Sequence, residues 1–261
     1  MGLRQAYLSF FEECFAQSIG DLRGKRMLEF GNQYVHENAS VPERTGKEYF
    51  THRGVAHVSL DLNGQDGALR IDFSKPIQRP EWYGTFDIIT NAGTLEHVEP
   101  HRAQYECFRS IHRFLKVGGI VIHLLPDIHE LETKGLWRGH CHNYYSHEFV
   151  RRLAAANHYR IVAMTIMNGM TCACLQKERD VPFMEDRKEF LASIIRKRGG
   201  IIYPGINDRG LYRPYGLARL FYQFVLDVTR PLRYRLGLRK RVPVTASPAP
   251  SVPEHPATRP S

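Results

Sequence analysis

His140, Cys141, His142, Tyr144 and Tyr145 fall within six consecutive residues, and His97 stands alone earlier in the chain. Imidazole titrates near neutrality, so such a cluster suits general acid–base work. Taken in order, His142, His140 and His97 are the candidate catalytic groups, with Trp137, Tyr144 and Tyr145 as walls for an acceptor. Neighbours on one loop cannot all converge on an ion, and no Cys-x-x-Cys pair stands near, so no metal is expected.

A second stretch with chemical content is Arg26–Val35. It reads as a short buried strand that carries Glu29 near its end and breaks at Gly31. A strand that stops at a glycine leaves free backbone N–H groups at its carboxyl edge, where α/β sheets bind nucleotides.

Positioning these groups takes a succession of elements. Leu3, Tyr7, Leu8, Phe11, Phe15 and Ile19 recur at helical spacing and predict a helix over 3–19. Strands are predicted at 26–30, 57–62, 69–73, 86–91 and 120–125, with a short helix at 46–52 inside the long connection 32–54. Pro100 opens a helix with Tyr105, Phe108, Ile111 and Leu115 on one face, ending at Gly118-Gly119. Strands without polar alternation indicate a parallel sheet buried on both faces. Residues 127–145 read as a loop, and Ser146 as the N-cap of a helix reaching Asn157. Tyr159–Met167 and Met170–Gln176 flank Asn168-Gly169, the dipeptide of a tight β-hairpin. Cys172 and Cys174 share one strand face and are expected in the core. Residues 183–198 suggest a further helix, and 199–216 a loop.

Charge divides the chain differently. The net +9 is concentrated in residues 196–241, where 12 Lys/Arg meet 2 Asp/Glu, and residues 1–195 are close to neutral. Residues 242–261 sum to zero and hold six prolines, so a disordered tail is expected. The domains are therefore read as 1–178, a basic extension at 179–241 and the tail at 242–261. The extension is read first as a packed subdomain with solvated charges. An anionic membrane surface ranks second as its partner and nucleic acid third. Five cysteines without framework spacing, no signal-peptide core and no long apolar run suit a cytoplasmic protein, peripheral to the inner membrane surface if the lipid reading holds.

Element order and motifs together resemble the class I S-adenosylmethionine-dependent methyltransferases over residues 20–177. Phe86-Asp-Ile-Ile-Thr-Asn-Ala-Gly-Thr-Leu-Glu-His-Val98 is similar to the fourth-strand motif of that family, and Leu115-Lys-Val-Gly-Gly-Ile-Val-Ile-His123 to its fifth. The first motif, usually Glu/Asp-x-Gly-x-Gly-x-Gly, reads Glu29-Phe-Gly31-Asn-Gln33-Tyr-Val35 and keeps only its first glycine.

The resemblance implies a Rossmann-like α/β fold: seven strands in the order 3-2-1-4-5-7-6, mostly parallel, closing in an antiparallel hairpin. It implies S-adenosyl-L-methionine as cofactor and a small-molecule or glycan hydroxyl as acceptor. Asp61 would then accept the ribose hydroxyls beside Leu62, and Asp72 the adenine amino group beside Phe73. Glu29, Gly31, Asn32, Gln33, Asn91 and Ala92 would line the methionine end. A catalytically inactive binding module, at a membrane surface or elsewhere, is the alternative that the missing glycines raise.

Overall fold

The computed structural model describes residues 2–198 and 201–212, together with Phe221, Val225 and Thr229. The chain opens with β1 (Gly2–Leu3), α1 (Gln5–Ser18), β2 (Arg26–Phe30), β3 (Tyr34–Val35) and α2 (Gly46–His52). There follow β4 (Ala56–Asp61), β5 (Leu69–Arg70), β6 (Phe86–Ala92), α3 (Ala103–Phe114) and β7 (Leu115–Pro126). The second half contains α4 (Ile128–Lys134), β8 (Asn143–Tyr144), α5 (His147–Ala156), β9 (Tyr159–Met167) and β10 (Met170–Lys177). Last come α6 (Arg187–Ala192), β11 (Ile195–Arg198), β12 (Ile201–Ile202), β13 (Gly205–Asn207) and β14 (Gly210–Tyr212).

Seven strands form the central sheet in the order β5-β4-β2-β6-β7-β10-β9. The first five pair in parallel, and β10 runs antiparallel to both β7 and β9. Numbered within the sheet, that is 3-2-1-4-5-7-6, the order that the resemblance implies. Asn168 and Gly169 take φ of 51° and 78° in the turn, as a hairpin of this kind demands.

Alternating strand residues supply two cores. Leu28, Phe30, Phe86, Ile89 and Val121 pack with Phe108, Phe149 and Phe190 from α3, α5 and α6. Met27, Ile88, Ile120 and Ile122 meet Phe11 and Phe15 of α1 and Phe50 of α2 on the other face. Cys172 and Cys174 are fully buried there as free thiols. Each fully buried Phe contributes about 1.5–3 kcal/mol, and both faces are covered.

Several elements depart from the sequence reading. The third strand was expected to reach Phe73 but stops at Arg70, because Asp72 bends the chain by accepting the Ser74 amide at 2.9 Å. The helix opening at Pro100 begins at Ala103 and ends at Phe114 rather than at Gly118. Leu115–Gly119 extend β7 instead, where Leu115 pairs with Phe86 and Lys116 binds Asp87 at 2.8 Å. Residues 127–145 are not all loop, since Asp127 caps α4 by accepting the Glu130 amide and Gly135 ends it at φ +66°.

The helix suggested at 183–198 is only α6. Beyond it β11 pairs with β8, and within the segment 199–216 the described residues 201–212 hold three more short strands. Phe183, Phe190 and Ile194 enter the first core, so residues 179–194 pack against the domain. The apolar run 217–228 apart from Phe221 and Val225, the basic run after it and the tail lie outside the described residues.

Candidate active site

Chain order reverses between β2 and β6, and at such a switch point the loops leave the sheet in opposite directions and open a crevice. A cavity of about 520 Å³ occupies that crevice. Its wall comes from the segments that follow β2, β4, β5 and β6. A larger cavity of about 690 Å³, near Tyr83, Arg113 and Lys116, lies at the opposite end of the sheet where β6 and β7 begin.

Of the residues singled out from sequence, Asn32, Gln33, Asp61, Leu62, Asp72, Phe73 and His97 line the switch-point cavity. Asp61 caps both neighbouring loops: Oδ2 accepts the Asn32 amide and Oδ1 the Asn63 amide, each at 2.9 Å. Each carboxylate oxygen retains a lone pair for a further donor. Asn32 gives its side-chain amide to Asp66 at 2.6 Å, while its buried Oδ1 has no hydrogen-bond partner. Phe73 stacks on Phe30 with centroids 5.4 Å apart. Hydrogen bonds from Ser74 hold the Asp72 carboxyl below its ordinary range.

Glu29, Gly31, Asn91 and Ala92 stand behind the wall. Glu29 is buried, its Oε2 3.5 Å from His57 Nε2, and burial pushes its carboxyl up. Asn91 donates to His123 Nδ1 at 3.3 Å and accepts the Leu95 amide. Ala92 is buried in the second core. Gly31 sits at φ +100°, where a Cβ would overlap Thr94 Oγ1.

The three histidines come together at one end. His97 and His140 meet edge to face with centroids 4.6 Å apart, and Trp137 lies 5.5 Å from His140. His142 Nδ1 is 4.0 Å from the Glu99 carboxylate, and both side chains are solvent-accessible. Burial, followed by the neighbouring His140, pushes His97 down to about 4, so its ring is neutral at physiological pH. Tyr144 and Tyr145 are fully buried and point away from an acceptor role: Tyr144 OH donates to the Trp137 carbonyl and Tyr145 OH to Gln104.

Sequence reasoning passed over Thr94 and Glu96, inside the fourth-strand motif, and Glu99 just after it. Glu96 is fully buried, and burial pushes its carboxyl up to about 8. Two buried amides pin its turn. Gln104 Nε2 donates to the Leu95 and Val98 carbonyls, and Asn143 Nδ2 to those of Glu96 and Val98. Among the described residues, no three His, Cys, Asp or Glu side chains converge to hold a metal ion.

No family model matches the chain, and no curated protein matches it. Solved structures do resemble it. An N1-methyltransferase of 1,6-didemethyltoxoflavin from Burkholderia thailandensis, solved with that compound and S-adenosylhomocysteine, is 16% identical with a TM-score of 0.41. The match covers 60% of this chain and 72% of that one. The N-methyltransferase NodS from Bradyrhizobium japonicum WM9, in complex with S-adenosylhomocysteine, is 12% identical with a TM-score of 0.44. That match covers 66% of this chain and 88% of the other. Both are methyltransferases. Likenesses this distant do not carry an activity across, and the strand order describes the fold without them.

Proposed function

We propose that the chain is an S-adenosylmethionine-dependent methyltransferase acting on a small-molecule or sugar hydroxyl. The observation that carries this is Asp61. It ends the strand next to β2, its carboxylate borders the switch-point cavity, and each oxygen can take one of two neighbouring ribose hydroxyls. Asn32 lies on the same wall, its side-chain amide held by Asp66 at 2.6 Å. These residues fit a nucleoside with a polar tail.

When bound, S-adenosylmethionine supplies an electrophilic methyl group on a positively charged sulfur. The chain's own work is alignment and exclusion of water. Asp61 orients the ribose, Asp72 accepts from the adenine amino group, and Leu62 and Phe73 flank the ring. Asn32 and Gln33 border the methionine end. His97, neutral at physiological pH, and the open His142–Glu99 pair stand ready to take a proton from the acceptor. His140 steadies His97 through their ring contact.

Calorimetric titration with S-adenosylhomocysteine tests the reading. Micromolar binding that Asp61→Ala weakens at least tenfold is expected, and no binding at millimolar ligand rejects it. A second reading, an inactive binding module, is favoured by the Gln33 side chain that stands where the family keeps a glycine. Binding without methyl transfer to any hydroxyl-bearing acceptor pool, read as a mass gain of one methyl, would select it. We keep an anionic membrane surface as a partner for residues 196–241 because their charge is +10. Salt-insensitive absence from floated anionic liposomes would remove it. Among the described residues no helix is long and apolar enough to cross a membrane.

A further inference from the structure

Glu96 is an anomalous group. Both its carboxyl oxygens are buried and neither has a hydrogen-bond partner. A buried acid of that kind is costly, and native chains rarely keep one without a reason. Holding the turn is not the reason. Gln104 and Asn143 pin the backbone on either side of Glu96, and among the described residues the carboxylate is favoured only by its own backbone N–H, short of a full hydrogen bond.

The adjacent side chain is informative. Glu96 Oε1 lies 3.7 Å from Nε2 of His97, and His97 is part of the cavity wall. The other titratable groups around the carboxyl, among the described residues, are Cys141 and Tyr145 beside β8 and Tyr7 from α1. His140 and His142 lie next to His97 rather than to the carboxyl. Among the described residues no Lys or Arg lines the cavity, whose charged groups are Asp61, Glu99 and Asp72, the last paired with Lys75 at 3.2 Å beside the wall. The cavity is thus built to receive positive charge, with an acid-imidazole pair at its back.

We infer that Glu96, acting through His97, is the charge partner of the donor's sulfonium: the pair gives up one proton when a cationic donor binds and regains one when the donor becomes neutral. The inference rests on the methyl-donor reading above. A positive ligand beside the wall stabilises the carboxylate over the carboxyl, so the proton leaves to solvent on binding. During transfer the pair takes up the acceptor's O–H proton as the carbon–oxygen bond forms and the carbon–sulfur bond breaks. The electron pair of the broken bond stays on sulfur. Charge in the cavity is therefore unchanged across the step: one positive sulfur is lost and one carboxylate is neutralised. Glu96 is a positioning residue by this account, because it reaches the ligand through His97.

The test counts protons. S-adenosylmethionine and S-adenosylhomocysteine are titrated calorimetrically into the full chain near pH 7.5, in buffers of differing ionisation enthalpy. The two ligands differ chiefly in the charge on sulfur. The expected result is that the sulfonium ligand releases up to about 0.8 proton more per site, and that Glu96→Gln abolishes the difference. Equal proton counts in the wild type, or a difference that survives Glu96→Gln, overturn the inference and leave the methyl-donor reading standing. Failure of either ligand to bind overturns both. Should Glu96→Gln not fold, the wild-type profile decides. The difference must peak near pH 7–8 and fade toward pH 5 and pH 10, and a difference independent of pH overturns the inference.

Discussion

Gln33 Nε2 donates to Thr94 Oγ1 at 3.2 Å, and this bond ties the loop after β2 to the loop after β6 across the crevice between them. It explains the one glycine that the first motif retains. Gly31 lies beneath the bond, at φ +100°, and a Cβ there would overlap the Thr94 hydroxyl and sit 2.7 Å from Gln33 Nε2. Gly31→Ala therefore combines a left-handed strain with a steric one. A loss of about 1–3 kcal/mol in urea unfolding is expected, with weaker S-adenosylhomocysteine binding as the two loops part. An unchanged midpoint would mean that Thr94 and Gln33 yield without cost.

Glu29 presents a choice that mutation resolves. The resemblance implies that it lines the donor's methionine end, whereas the fold offers it a structural role. In the fold it faces His57 at 3.5 Å, accepts the Gln33 amide at 3.4 Å and leaves no room beside Gly46, whose Cβ would lie 2.6 Å from Oε1. Glu29→Gln keeps the shape and removes the charge. Burial already disfavours the carboxylate, which offsets the loss of an acceptor toward His57 and the Gln33 amide. Stability near neutral pH should therefore change by no more than about 1 kcal/mol while affinity for S-adenosylhomocysteine stays within about threefold. A large affinity loss at unchanged stability would return Glu29 to the ligand's first contacts.

Two buried histidines make the molecule sensitive to acid. Burial pushes His123 down to about 3 and is the leading cause that brings His112 to about 4. Asn91 donates to His123 Nδ1, which requires a neutral ring. A histidine whose folded pKa is depressed stabilises the fold fully above its unfolded value near 6.5. That contribution is lost as pH falls, because the unfolded chain takes the proton more readily. Two such groups together give a slope of about 2.7 kcal/mol per pH unit between roughly pH 6 and 4.5. His123→Gln should lower the wild-type slope over that window by about 1.4 kcal/mol per pH unit in urea titrations, and an unaltered slope would refute the assignment.

Much of this was legible in the chain. The apolar run Phe86–Ala92, the Asn168-Gly169 turn and the capped segment Gly46–His52 carry local signals strong enough to place themselves. Asp61 was legible as a strand-end carboxylate on the cavity edge. The misplaced pieces depend on partners far away in sequence. Leu115–Gly119 continue the helical spacing of α3, but Lys116 is drawn into the sheet by Asp87, 29 residues earlier. The Asn143 amide that pins the turn of Glu96 lies 47 residues beyond it. Glu96 itself looked like an ordinary polar residue of a turn. Only the burial of its carboxyl, set by α1 and the loop before β8, makes it unusual.

That burial has a consequence for stability that is independent of any ligand. An acid whose folded pKa is raised is favoured in its protonated form by the fold. Glu96 therefore carries no penalty below its unfolded value of 4.5, and the fold loses stability as pH rises from there toward about 8. Each pH unit in that window costs about 1.4 kcal/mol, so the cumulative loss approaches roughly 5 kcal/mol at its upper end. Glu96→Gln removes the charge and keeps a side chain of the same shape. The variant and the wild type should have similar urea midpoints near pH 5, with the variant pulling ahead progressively to about pH 8 and holding its lead above. The buried His112 and His123 act in the opposite direction at lower pH, which confines the wild-type optimum to weakly acidic solution. A wild type that outlasts Glu96→Gln at pH 8 would show that the carboxylate is compensated in the fold, and the account of a lone buried acid would then fail.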